Sequence, residues 1–544
     1  MWSMELTEVP FEADIRELLM AYYPVLRENA GEKSGPVSGG EHAGMTARPV
    51  PDGETGAQLR FRGHREGECY VLEIDYPDGE YTRFTSRILD DRFATKCEIK
   101  RRVYTALSEH EGYALPWGTL TGIRPTKLVL AELEKRIAAQ KSQKSQAAQS
   151  TEKMPQSTQA AEDLPQPESA EAEASGAAGG IREMKNRFQR EFLIGDEKTE
   201  LCFRTAQREA EVLQRFDYAG GWSLYAGIPF CPSKCLYCSF TSYPIGLWKE
   251  RKDAYLRTLE YEIREVSARM AETGKPLQTV YIGGGTPTSL EAEELAGLIA
   301  AIRESNDTSQ LMEFTVEAGR PDSITAEKLQ ALREGGVTRI SVNPQTMNQK
   351  TLDLIGRKHT VEEVEEKFRL ARRLGFDNIN MDIIIGLPGE NPADVERTMD
   401  ALEALKPDDI TVHSLALKRA ARLSEERGLY TTAGPEEITA MAELTGSRCE
   451  AMGLQPYYLY RQKNMAGNFE NVGYCRNGHE GIYNILIMEE KQPIVGCGAG
   501  TTTKLPLRGG ADGVLRIENV KDPQVYIERI DEMLARKRDS KLWQ

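Results

Sequence analysis

No apolar run in the 544-residue chain approaches the roughly 20 residues that a membrane-spanning helix requires, so no span is expected. Positive charge is in deficit: 69 Lys and Arg face 84 Asp and Glu, a formal net charge of −15. A protein that grips nucleic acid through its phosphates needs the opposite balance; any acidic ligand must instead meet a local basic pocket. The first twenty residues carry Glu5, Glu8, Glu12 and Asp14 rather than a basic stretch followed by an apolar core, so a secretory signal is not expected and the cytoplasm is. Cysteine is sparse, nine residues in all, and the CxxC pair at Cys235 and Cys238 has no second pair to complete it. In a reducing compartment, clustered thiols are metal ligands or catalysts rather than disulfides. The scattered cysteines, Cys69, Cys97, Cys202, Cys449, Cys475 and Cys497, read as small buried hydrophobes.

What is present is enough for a large globular protein, since 40% hydrophobic residues over this length can fill the cores of two to four domains. Two tracts cannot pack. Residues 31–57 are rich in Gly, Pro, Ser and charge, and 137–180 is largely a Gln, Ala, Ser, Glu and Pro tract; they read as a flexible insert and a disordered linker. Residues 1–136 form an N-terminal α+β module, with an amphipathic helix over 11–26, strands in LRFRG and CYVLEIDY, and a helix over 98–111. Its closing stretch, LPWGTLTGIRPTKL, is expected to be an ordered loop, and a helical lead-in over 181–221 follows. From residue 222 to 420 six β-branched runs, WSLYAGI, TVYIGGG, MEFTVEA, TRISVNPQ, NINMDIIIGLP and DDITVHSLAL, alternate with helical stretches. That alternation predicts parallel βα units closing into a partial (β/α)6 barrel, with the functional site at the carboxyl ends of the strands. Residues 421–544 mix the helix PEEITAMAELTGSRCEAMG with a strand-like GIYNILIMEE and read as a C-terminal α+β capping domain.

Every unusual motif falls at a predicted strand end. Three cysteines, Cys231, Cys235 and Cys238, follow the first strand in GIPFCPSKCLYCSF. A structural zinc needs four ligands, and the nearest downstream histidine, His359, lies in another unit. A three-thiolate zinc site remains one reading. A [4Fe–4S] cluster explains the shortage better, because three thiolates can hold three irons and leave the fourth open to a ligand that is not protein. GGGTPT follows the second strand, where glycines let the backbone approach a ligand closely, or simply make a turn. Glu317 ends the third strand, Asn343 to Gln345 the fourth, and Asp382 with GLPGE the fifth.

The CxxxCxxC spacing with Tyr237 before its last cysteine, followed by GGGTPT, resembles the radical S-adenosylmethionine (SAM) superfamily. YAGIPFCPSKCLYCSFTSYPI, YIGGGTPTSL, FTVEAGRPDSIT, ISVNPQTMNQKTLDLIGRKHT, NMDIIIGLPGE and PYYLYRQKNMAGNFENVGY resemble the oxygen-independent coproporphyrinogen III oxidase family, nearest its branch of dehydrogenases with an extra N-terminal region. The resemblance implies a [4Fe–4S] cluster on Cys231, Cys235 and Cys238, whose open iron is chelated by SAM. It places Tyr225, Gly284, Gly285, Thr286 and Glu317 around that SAM, with Glu317 accepting from ribose hydroxyls. A second SAM is implied beside the first, against Tyr237, Gln345, Arg357, Asp382 and Ala416. Taken alone, Arg357 reads as a surface cation, and Asp382, among apolar neighbours, needs a partner. No residue is singled out as catalytic.

The chemistry implied is reductive cleavage of SAM to a 5′-deoxyadenosyl radical, hydrogen abstraction from a propionate β-carbon, and loss of CO2 and one electron, giving protoporphyrinogen IX for heme biosynthesis. It calls for an electron donor whose identity the chain does not name, and for cations that meet the substrate propionates; Lys418, Arg419, Arg461 and Lys463 are the candidates. One departure stands out. Where the family's oxidases carry a fourth cysteine, two residues after the third, this chain has Phe240, which resembles the heme-chaperone branch. That alternative implies heme as ligand, with His413, Cys475 and His479 as possible axial ligands.

Overall fold

The computed structural model describes residues 2–23, 59–122, 124–152, 170–416, 418, 421–426, 429–431, 433–461, 469–507 and 513–540. The 31–57 insert, Arg419 and Lys463 lie outside these residues. The chain divides into one unit of Met1–Thr121 with Gln166–Thr199, and a second of Gly122–Pro165 with Glu200–Gln544. Of the tract 137–180, residues 153–169 lie outside the described set, while helices Thr126–Glu152 and Ala170–Phe192 run into it from either side.

The first unit is an α+β module. Its four strands, β1 (Trp2–Thr7), β2 (Leu59–Glu66), β3 (Cys69–Asp75) and β4 (Tyr81–Arg87), lie in chain order, with β1 parallel to β2 and the others antiparallel. Period-2 patterning sets its inner face: β2 buries Leu59, Phe61 and Gly63 while Arg60 and His64 stay exposed. Leu59, Phe61, Leu72 and Ile74 share a core with Ile15, Leu18 and Leu19 of helix Glu12–Tyr22 and with Ile99, Val103 and Leu107 of helix Arg92–Glu111. Outward-facing charges pair across the strands, as in Arg62 with Glu73 and Asp75, and Arg83 with Glu73.

The second unit is built on an eleven-stranded sheet. In chain order its strands are β5 (Trp222–Ile228), the short pair β6 (Phe230–Cys231) and β7 (Tyr243–Pro244), which form a ladder of their own, then β8 (Leu277–Gly284), β9 (Glu313–Glu317), β10 (Arg339–Ser341), β11 (Ile379–Ile385), β12 (Asp409–Ser414), β13 (Gln455–Tyr460), β14 (Asn471–Cys475), β15 (Ile494–Cys497), β16 (Thr502–Pro506) and β17 (Val514–Glu518). Strands β5, β8, β9, β10, β11 and β12 are successive parallel neighbours, the six predicted runs in the predicted order. Helix starts follow local chemistry: Thr360 and Glu363 form a reciprocal capping box ahead of helix Val361–Arg373, and Asn391 caps helix Pro392–Leu405 with proline in its first turn.

The barrel is partial, since β5 and β12 do not pair, and C-terminal residues cap both open edges. Antiparallel β14 and then β13 flank β12, whereas β15 lies parallel to β5 and is followed by antiparallel β16 and β17. One expectation needs correction: GIYNILIMEE is not a strand but contains helix Ile482–Glu489. Its buried residues, Tyr483, Ile485, Leu486 and Glu489, fall at helical spacing, a distinction that a short apolar run does not reveal by itself.

Candidate functional site

The cysteine loop leaves the end of β5 and is held by its own apolar residue. Leu236, between Cys235 and Tyr237, is 3% exposed and joins a core of Leu352, Ile355, Ile384, Leu387, Leu415 and Leu423. Its N–H donates to the Ile355 carbonyl at 2.9 Å, and its carbonyl accepts from Leu423 N–H at 3.0 Å. A turn then brings Cys238 N–H to the Cys235 carbonyl at 3.2 Å. Burial pushes the Cys231 thiol up to about 11; the Thr286 hydroxyl, 3.4 Å from its sulfur, opposes the shift, while Cys238 and Cys235 add to it. Desolvation raises the Cys238 thiol as well, so the Cys231 and Cys238 sulfurs resist ionising together unless a metal or cation meets them.

The glycine motif does a second job beyond leaving room for a ligand. Gly284 sits at φ +114°, and a Cβ there would lie 2.9 Å from the Ile228 carbonyl oxygen. A Cβ on Gly285 would lie 2.6 Å from the Phe230 carbonyl oxygen and 3.0 Å from Cys231 Sγ. Because both side chains are missing, Gly285 N–H reaches the Ile228 carbonyl at 2.7 Å and Thr286 N–H reaches that of Phe230 at 2.7 Å. The end of β8 thereby clamps the start of the cysteine loop.

The next strand ends supply the polar groups. Tyr281 Oη donates to Glu317 Oε1 at 2.7 Å, yet burial pushes the Glu317 carboxyl up to about 7. Tyr281 also stacks with Tyr225 and Tyr483, at ring-centroid separations of 5.9 and 4.5 Å. Gln345 is held at φ +69°, uncommon for a residue with a side chain, because its N–H donates to the Asp382 carbonyl and its own carbonyl accepts from Ile384 N–H, at 2.9 and 2.8 Å. The Asp382 carboxylate receives Asn343 Nδ2 and Asn380 Nδ2, each at 2.7 Å, with His413 Nε2 3.7 Å away. Burial alone raises this carboxyl, but His413 and Asn380 outweigh it and leave Asp382 below its ordinary value. The partner expected for Asp382 is thus a polar cradle. Arg357 is not a surface cation: it is 3% exposed, its Nη2 donates to the Gly319 and Asn343 carbonyls at 2.7 and 2.9 Å, and its Nε has no partner among the described residues.

All thirteen residues anticipated for the cluster and nucleotide line one cavity of about 600 Å³ at the carboxyl ends of the strands, Tyr237, Thr286 and Ala416 among them. Lys418, His413 and Phe240 line it too, and Phe240 is 69% exposed. Arg461, Cys475 and His479 are not among the described residues that line it; Cys475 is buried on β14. Several contributors were not anticipated. Arg320 reaches Cys235 from the β9 loop; Ala499, Gly500 and Thr501 enter after β15; and Arg124, from the IRPTK stretch, donates to the carbonyl of cavity-lining Met488 at 2.7 Å. The density of glycine in GCGAGT was the one visible signal for the second; the other two depend on contacts distant in sequence.

The donor set suits a multi-iron cluster. Among the described residues, the trio of His, Cys, Asp or Glu whose ligand atoms fall within 4.8 Å of one another is Asp78, Glu80 and His110, not the three cysteines. Thiolates on a single tetrahedral zinc, at Zn–S distances of about 2.3 Å, would be about 3.8 Å apart. The three sulfurs do not all lie that close together, and a cavity with glycine backbone and the Arg357 Nε–H, unpartnered among the described residues, remains beside them.

Comparison with known proteins agrees. The Radical SAM superfamily profile matches residues 225–402. The oxygen-independent coproporphyrinogen-III oxidase-like protein HemZ of Bacillus subtilis is 39% identical over 458 residues, 83% of this chain and 83% of that protein. The heme chaperone HemW of the same organism is 35% identical over 314 residues, 57% of this chain and 76% of that one. Among solved structures, the coproporphyrinogen III oxidase HemN from Escherichia coli is matched with a TM-score of 0.48 and 23% identity over 62% of this chain and 73% of that one. The radical SAM superfamily uses a [4Fe–4S] cluster and SAM, and this chain belongs within it to the oxygen-independent coproporphyrinogen-III oxidase-like family.

Proposed function

We propose that the protein is a radical SAM coproporphyrinogen dehydrogenase, which oxidatively decarboxylates propionates of coproporphyrinogen III to the vinyl groups of protoporphyrinogen IX. The observation that carries this reading is one continuous cavity, which runs from the three cysteines past Glu317, Arg357 and Asp382 to Lys418. Cys231, Cys235 and Cys238 hold the cluster. Tyr225, Gly284, Gly285, Thr286 and Glu317 hold the SAM bound to it, and Tyr237, Gln345, Arg357, Asp382 and Ala416 a second. When bound, these groups supply the one-electron oxidising chemistry that removes hydrogen from a propionate side chain.

The chain's own work is positioning and charge control. Ionised Glu317 accepts from ribose hydroxyls, a role for which the bonds from Tyr281 and Gly284 N–H leave lone pairs to spare on a carboxylate. The unpartnered Arg357 Nε offers a donor to a carboxylate, and Lys418 meets a substrate propionate. Anaerobic incubation of the reconstituted protein with SAM, a reductant and coproporphyrinogen III is expected to yield protoporphyrinogen. SAM cleavage with the porphyrinogen unchanged rejects the reading.

One observation favours a second reading. Phe240 stands on the cavity rim in the position of the oxidases' fourth cysteine, and relatives described as heme chaperones match over more than half of the chain. Under that reading the ligand is heme, and His413 is the cavity-lining candidate for an axial contact. A stoichiometric Soret band on heme addition, lost in His413→Ala, is its expected signature; an unchanged spectrum dismisses it.

A further inference from the structure

Arg320 has no place in the roles above, yet its side chain is spent entirely on the cysteine loop and on one carboxylate. It follows Glu317 on the loop after β9 and is 4% exposed. A guanidinium carries five N–H donors. Here Nε and Nη2 fork onto Asp322 Oδ1 and Oδ2 at 2.9 and 2.8 Å. The second Nη2 hydrogen goes to Ser233 Oγ at 3.2 Å, and Nη1 donates to the Ser233 carbonyl at 3.2 Å and to Cys235 Sγ at 3.5 Å. Every donor has an acceptor, and the last acceptor is a cysteine sulfur.

We propose that Arg320 is a positioning residue for the iron–sulfur cluster: it fixes the cysteine loop and raises the cluster's reduction potential through its N–H···S bond to Cys235. The proposal rests on the reading of Cys235 as a cluster ligand. Reduction adds one negative charge to a buried cluster, and a hydrogen bond from a buried cation to a ligating sulfur stabilises that added charge. Asp322 holds the guanidinium in place and offsets part of its charge. The pair therefore makes a prediction with two signs. Removing the cation lowers the potential, whereas neutralising Asp322 leaves Arg320 uncompensated and raises it. A purely structural lesion has no reason to move the two variants in opposite directions.

The test is a potentiometric titration, followed by EPR, of anaerobically reconstituted full-length protein, with iron and sulfide measured on each sample. At a fixed solution potential, Arg320→Gln is expected to lower the ratio of reduced to oxidised cluster about tenfold, which for one electron corresponds to about 59 mV. Asp322→Asn is expected to shift the ratio the other way, and Arg320→Lys to fall between Arg320→Gln and wild type. Titration of Arg320→Gln at the wild-type potential, or a shift of Arg320→Gln and Asp322→Asn in the same direction, overturns the proposal. If Arg320→Gln takes up no iron, restored uptake in Arg320→Lys with a raised potential in Asp322→Asn supports it, and wild-type potentials in both overturn it. Wild-type protein that assembles no cluster rejects the ligand reading instead, an outcome distinct from an intact cluster indifferent to Arg320.

Discussion

Two glutamates in the same unit, 55 residues apart in sequence, have opposite fates. Glu262, on helix Lys252–Glu272, is 0% exposed and saturated: Lys537 Nζ and Asn519 Nδ2 donate to Oε1 at 2.6 and 2.9 Å, and Tyr526 Oη and Gly498 N–H to Oε2 at 2.6 and 2.7 Å. Glu317, half-buried at the end of β9, has Tyr281 as its side-chain donor and a backbone hydrogen bond from Gly284, and desolvation lifts its carboxyl to about 7. The first carboxylate ties the C-terminal helix Ile530–Arg538 and the loop after β15 to the barrel. The second keeps acceptor capacity that faces the cavity. Hydrogen-bond saturation together with full burial marks a charge that builds the fold, and a half-buried, less saturated carboxylate is the one held ready for a ligand.

The largest expected effect breaks the saturated side. Glu262→Ala strands the Lys537 charge in the interior and is expected to reduce unfolding free energy by about 3–5 kcal/mol, measured by chemical denaturation. Next comes the clamp between β8 and the cysteine loop. Gly284→Ala forces a Cβ onto a backbone at φ +114° and against the Ile228 carbonyl, with an expected loss of about 1–3 kcal/mol and reduced iron uptake on reconstitution.

The less saturated side shows in binding, with the opposite sign in stability. Glu317→Gln is expected to raise the unfolding midpoint at pH 8, where the wild-type carboxyl is ionised against its desolvation, and to weaken SAM binding about tenfold, or about 1.4 kcal/mol by calorimetry. The pH dependence sharpens the contrast. Because the folded-state carboxyl is raised to about 7, Glu317 is protonated below that pH and loses acceptor strength there. Wild-type SAM affinity should therefore fall as pH drops through about 7, and the Gln variant should lack that component. The same shift means that the folded chain keeps this proton over the interval from 4.5 to about 7 in which the unfolded chain releases it, so rising pH removes stability there. The smallest effect belongs to the exposed ladder of the first unit: Glu73→Gln, which breaks its pairs with Arg62 and Arg83, is expected to change stability by no more than about 1 kcal/mol.

Legibility in the sequence followed the locality of the cause. The six parallel strands were readable because each is a β-branched run with a helix behind it, and the βα arrangement delivers Cys231, Gly284, Glu317, Gln345 and Asp382 to one rim. Arg357 was misread in isolation because its carbonyl partners, Gly319 and Asn343, belong to other loops. The strand expected in GIYNILIMEE failed because a short apolar run does not distinguish a buried helix from a strand. Arg320 was passed over although EAGRPD places it beside Glu317, since nothing local says that its guanidinium crosses to Cys235, 85 residues earlier.

By itself the sequence determined the thiol count, the polar residues at the strand ends and the lack of a fourth cysteine beside the first three, since spacing, hydrophobic period and residue type are properties of short segments. Only the tertiary structure decided which carboxylates are saturated, that C-terminal strands extend both edges of the partial barrel, and that a buried arginine touches a cysteine sulfur. Those outcomes depend on groups tens to hundreds of residues apart meeting within hydrogen-bond distance, and no local pattern encodes such a meeting.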